Sequence, residues 1–170
     1  MGTYVDNCLI WAYTLKEKVH INNATNIIEN ILKDEDLYIS TYSLLEMYSF
    51  LSRNPTKYKI PPALERSNPS KLIKVRIAVE FTLRSLGLNI YEDNGKTEQL
   101  GTTKTKTHKI FYECTQLAPR VELPSGDLIH ATYAFMMKEE GIVNQIATLD
   151  SHFEEKKGHI KVFTGLDVIT

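Results

Sequence analysis

Three short apolar or β-branched runs each end in an acid or a hydroxyl and pass at once into a helix-period segment. This alternation constrains the chain more than any other feature. "TYV" leads into Asp6, "LYIS" into Ser40 and Thr41, and "VNQIATLD" ends on Asp150. A fourth run, "LNIYED", also reads as a strand. Strands that alternate with helices build a parallel sheet covered by helices. The expected fold class is therefore α/β: a single three-layer domain over residues 1–170, with a short central parallel sheet and helices on both faces.

The helical segments follow from apolar spacing. "LIWAYTLKEKV", "NATNIIENILKDE" and "STYSLLEMYSFLSR" each carry one apolar face, the last through Leu44, Tyr48 and Leu51, with Asn54-Pro55 as its stop. "SKLIKVRIAVEFTLRSLG" has Ser70 as its cap and Gly87 as its stop. "HKIFYECTQLA" should end at Pro119, and "GDLIHATYAFMMKEEG" should bury Leu128, Ala131, Thr132 and Phe135. "SHFEEKKG" reads as a short helical turn and "HIKVFT" as the last strand. "NGKTEQLGTTKTKT" reads as an exposed loop, and residues 54–109 as an extended basic helical and loop insert within the domain.

Composition narrows the function classes. Hydrophobic residues make up 42% and charged residues 24%, which is globular rather than disordered. No run approaches eighteen apolar residues, so no membrane span is expected. Asp6 and the lack of a basic region before the first apolar stretch do not fit a secretory signal. Cys8 and Cys114 are far apart, so a reduced, cytoplasmic protein is expected. The net charge of −1 gives no overall field for nucleic acid. Seven basic residues nevertheless fall between Arg53 and Arg76 against one acid, Glu65, and Lys104, Lys106 and Lys109 form a second group. They are either a solvated face or a local attraction for phosphate.

In open parallel sheets, ligands bind beyond the carboxyl ends of the strands. Asp6 and Asp150 end strands, Glu46 lies in the helix after the second strand, and Asp127 opens "GDLIHATYA". Four carboxylates thus fall along one rim. Such acids repel one another, and divalent cations relieve that repulsion, with hard oxygen ligands selecting Mg²⁺ or Mn²⁺. Ions of this kind assist phosphodiester cleavage. Each acid also has a plainer reading. Asp6 and Asp127 fit helix caps, Ser43 to Glu46 fits a capping box, and Asp150 fits an Asx-turn. His130 reads as a partly buried structural histidine or as a donor to the acids. Cys8 reads as a small buried residue. No HExxH, GxGxxG or P-loop pattern is present, so zinc and nucleotide sites find no support.

The segments "YVDNCLI", "ISTYSLLEMYSFL", "SGDLIHATYA" and "IATLDSHF" resemble, in order, the motifs of the PIN domains, and among them the ribonuclease toxins of VapBC type. The motifs run from residue 4 to residue 153. The resemblance implies a PIN-like fold and a metal-dependent endoribonuclease. Catalysis and Mg²⁺ or Mn²⁺ binding would fall to Asp6, Glu46, Asp127 and Asp150. Thr148 would support the site, as would Asn7 and His152, although Asn7 and Cys8 replace the family's Thr-Asn pair and His152 replaces an acid or Asn. Lys57, Lys59, Lys104 and Lys106 would track the RNA substrate through charge. A homodimer and a small antitoxin protein are also implied. The rival reading is a non-catalytic PIN-like module that binds RNA or protein. A receiver-like regulator ranks below both, because "LYISTYS" lacks the phosphoacceptor Asp.

Overall fold

The computed structural model describes residues 1–58, 60–100 and 105–170. Its main sheet has five parallel strands: β1 (Gly2–Val5), β2 (Leu37–Ser40), β3 (Asn89–Tyr91), β6 (Val143–Ala147) and β7 (Asp167–Ile169), in the order β3-β2-β1-β6-β7. A separate antiparallel pair joins β4 (Thr97–Gln99) to β5 (Lys106–His108). The chain builds outward from β1 to β3, then returns to the other side of β1 as β6. The order therefore reverses at β1, the place where such sheets bind ligands.

Strand alternation sorts side chains between two cores. Tyr4 and Ile146 enter one apolar cluster, and Val5, Leu37, Ile39 and Ala147 enter the other. The first cluster is closed by α6 (Lys109–Val121), α7 (Ser125–Glu139) and α8 (Ser151–Thr164). The second is closed by α1 (Asn7–Thr14), α2 (Ile21–Thr25) and the π-helical stretch Asn26–Ile31, together with α3 (Thr41–Arg53) and α5 (Lys71–Ser85). A short α4 (Pro62–Glu65) lies between α3 and α5. The result is the expected α/β arrangement of a parallel sheet with helices on both faces. Because both faces are covered, the strands carry few charges, which is why they read as apolar runs.

Two details depend on local backbone. Gly2 pairs with Val143 but Thr3 pairs with Gln145, so Asn144 is an extra residue in β6. That bulge lets Val143 and Ile146, three apart, enter the same core. Gly165 ends α8 with φ 70° and turns the chain into β7.

Several sequence expectations hold and others need correction. Ser70 caps α5 by accepting from the Ile73 amide, and Gly87 follows with φ 61°. Residues 159–164 are not a strand. They complete α8, whose Phe153, Ile160 and Thr164 share one buried face, while Val162 is exposed. The true last strand, β7, comes later. Residues 97–99 and 106–108 form the hairpin pair rather than loop. Within 54–109, β3 is the edge of the main sheet. Pro119 does not end α6, which continues so that Leu117 and Val121 bury together. Met47 and Leu51 are the buried anchors of α3, with Leu44 and Tyr48 only partly covered. Phe135 is likewise only partly buried. Among the described residues, no helix is long and apolar enough to cross a membrane.

Candidate metal centre

Asp6, Glu46, Asp127 and Asp150 all line one cleft of about 560 Å³ beyond the carboxyl ends of the central strands. Each comes from a different place. Asp6 follows β1, Glu46 lies on α3, Asp127 sits in the first turn of α7, and Asp150 precedes α8. Asn7, Cys8 and His130 share the lining. The far wall is apolar, with the Trp11 and Phe50 rings stacked at 5.0 Å, and Leu45 and Arg53 beside them.

The capping readings separate cleanly. Asp6 occupies the N-cap position of α1, yet its side chain makes no capping bond. Its Oδ2 instead accepts from the Thr148 hydroxyl at 2.8 Å and from the Cys8 thiol at 2.9 Å. Ser40, not Ser43, caps α3, so the capping box is not formed. Asp127 makes no cap. Asp150 does cap α8, accepting from the His152 amide at 2.8 Å.

Thr148 is the hub of this corner. It donates to Asp6 and accepts from the Asp150 amide at 3.0 Å, tying the ends of β1 and β6 together. Cys8 departs from the expectation of an inert buried residue, because its sulfur also accepts from the Leu149 amide at 3.1 Å. Burial and the Asp6 carboxylate push its thiol well above the usual range, so it stays protonated.

Two histidines bridge the acids in pairs. The buried His130 Nε2 lies 2.8 Å from Glu46 Oε2 and 3.4 Å from Asp6 Oδ1. Its Nδ1 meets the Tyr4 hydroxyl at 2.7 Å, which in turn contacts Ser40 and Ser43. Burial disfavours the charged imidazole, but Tyr4, Glu46 and Asp6 outweigh it and hold His130 well above its ordinary range. Burial likewise works against the Glu46 carboxylate. Its bonds from His130 and Asn7 more than offset that and lower its pKa. The exposed His152 Nδ1 lies 3.0 Å from Asp127 and 3.1 Å from Asp150. Burial, then the neighbouring charges of Asp150 and Asp6, raise the Asp127 pKa.

The donor set fits a divalent ion. One ligand atom each from Asp127, Asp150 and His152 lies within 4.8 Å of the others, and Asp6 shares the cleft. Asn7 adds an oriented carbonyl. Its amide nitrogen donates to the Ser43 carbonyl and to Glu46, both at 2.9 Å, so the amide cannot be flipped without facing two acceptors. That leaves Asn7 Oδ1 buried with no partner, the one such side-chain atom among the described residues.

The expected basic track is not assembled here. Lys57 lies in a neighbouring groove with Tyr58 and Phe81, and Lys106 is exposed on β5; neither lines the cleft. Lys59 and Lys104 fall outside the described residues. Among the described residues, Arg53 is the Lys or Arg that does line it. His130, read from the sequence as a structural histidine or a donor to the acids, is buried and meets Glu46 and Asp6 rather than Asp127, three positions before it on α7.

No protein-family model matches the chain, and no curated protein matches it.

Proposed function

We propose that this protein is a metal-dependent endoribonuclease of the PIN type, the reading its ordered motifs first raised. The observation that carries the proposal is the convergence of four carboxylates from four separate elements on one cleft, three of them not serving as helix caps. A divalent ion, Mg²⁺ or Mn²⁺, would supply charge neutralisation and Lewis acidity for phosphodiester hydrolysis. The chain's own part is to place the ligands. Thr148 fixes the Asp6 carboxylate, the α8 cap fixes Asp150, and α7 presents Asp127. Its expected homodimer and small antitoxin partner belong to the same proposal.

The ion should bind the folded cluster and not the dispersed acids. At a hundredfold excess over its dissociation constant, Mn²⁺ should add about 2.7 kcal/mol of stability, which for a domain of this size raises Tm by about 5–10 °C. A Tm indifferent to millimolar Mn²⁺ would count against the metal centre.

Arg53 is the residue placed to meet a phosphate at the cleft mouth. It is exposed, its Nε donates to the Ser49 carbonyl at 3.3 Å, and it forms no ion pair with an acid among the described residues. Its guanidinium edge remains open to a phosphate. Arg53→Ala should lower kcat/KM on RNA by about tenfold, mainly through KM, as loss of one charge-assisted contact of about 1.5 kcal/mol requires. A kinetic comparison that finds KM unchanged would remove Arg53 from the substrate path.

The two imidazoles that already stand between pairs of acids favour a second reading, a non-catalytic RNA- or protein-binding module. RNA binding that survives EDTA, without cleavage in any divalent ion, would select it.

A further inference from the structure

The four acids of the cleft are not equivalent. Glu46 Oε2 accepts two N–H donors, His130 Nε2 at 2.8 Å and Asn7 Nδ2 at 2.9 Å. A carboxylate oxygen offers about two lone-pair sites, so this atom is filled. The His130 contact does not depend on the charge of the ring. A carboxylate only accepts, so Nε2 must carry a hydrogen in either protonation state, with Nδ1 taking the Tyr4 hydroxyl proton when the ring is neutral. The ring is only 3% exposed and is held from behind by Tyr4 and edge-on by Tyr42. It cannot swing aside without opening the core. Its Nε2 therefore stands permanently between Glu46 and Asp6, where a second ion bridging those two acids would have to sit. At the other end, His152 is half exposed, its Nδ1 lies against Asp127 and Asp150, and it is placed to act as a ligand itself.

We infer that the cleft holds a single divalent ion, at Asp127, Asp150 and His152 with Asp6 beside them, and that the His130 N–H takes the place of a second ion, making Glu46 a positioning residue rather than a ligand. The inference rests on the metal-centre reading. Glu46 of α3 and His130 of α7 then act as one unit that orients Asn7 and Asp6. Other metal sites are oriented in the same way by hydrogen-bonded groups around the ligands.

Mn²⁺ alone is the probe, followed by calorimetry and by electron paramagnetic resonance of the free and bound ion. Wild type should take up one Mn²⁺ per chain, with no spin-coupled pair. Asp127→Asn and Asp150→Asn should weaken that uptake by more than about a thousandfold, and Glu46→Gln by no more than about a hundredfold, the ordinary range for a group outside the coordination sphere. His130→Ala should unmask a second, weaker site, and a melting curve on each variant shows that it is folded. Two ions in wild type, or Glu46→Gln losing Mn²⁺ as completely as Asp127→Asn, overturns the single-ion inference while leaving the metal centre standing. The wild-type count needs no variant, so it decides the question even if His130→Ala fails to fold. Wild type that takes up no Mn²⁺ overturns the metal-centre reading itself.

Discussion

Asp150→Asn is expected to reduce Mn²⁺-dependent RNA cleavage by about a thousandfold or more while moving Tm by only a few degrees. The two effects separate because the side chain has two jobs. As a cap it accepts one backbone N–H, from His152, and Asn caps a helix about as well as Asp. As the proposed ligand it would contribute negative charge beside Asp127 and Asp6, and the neutral amide would remove that charge. An assay of initial cleavage rates, run beside a melting curve, reads both. If Asp150→Asn cleaves RNA as fast as wild type, Asp150 is a cap and nothing more.

Phe153→Ala should be the most damaging substitution away from the acids. The ring is fully buried under α8 and packs in the same core as Ile146, Ile160 and Leu166. Truncating a buried Phe costs about 3–5 kcal/mol, lost transfer energy plus an unfilled cavity. For a chain of this size that lowers Tm by about 6–20 °C. Phe153 lies three residues after Asp150 and anchors the first turn of the helix that Asp150 caps. The loss should therefore loosen Asp150 and His152 as well as the core. Denaturant unfolding of the variant measures the cost, and a change under about 1 kcal/mol would mean that α8 is not held by this ring.

The central architecture was readable because its physics is local. Strands covered on both faces are apolar throughout, and the acids at their ends break the pattern sharply. Asp6 and Ser40 marked strand ends correctly for that reason, whereas the strand expected to reach Asp150 stops at Ala147. The ends of the chain were harder. "HIKVFT" alternates like a strand, yet its helix is fixed by Phe153, Ile160 and Thr164 on one side, a relation visible only over eleven residues. The β4–β5 pair has little apolar burial and so left little trace.

The site divides in the same way. Which acids converge followed from strand ends, but what each acid touches did not. Thr148 and His130 reach the carboxylates from residues distant in sequence, and no local pattern encodes those bonds. The resemblance pointed to lysines after residue 56, whereas among the described residues the Lys or Arg at the cleft is Arg53, placed there by the last turn of α3. Composition registers charge; only the fold decides which charge faces the acids.

The most direct measurement is cleavage of a single-stranded RNA by the purified wild-type protein with Mn²⁺, with EDTA, and with Asp6→Asn in place of wild type. Cleavage that requires Mn²⁺ and disappears in both controls is the predicted result. RNA that remains intact with every divalent ion, or that is cut equally well by Asp6→Asn, contradicts the account.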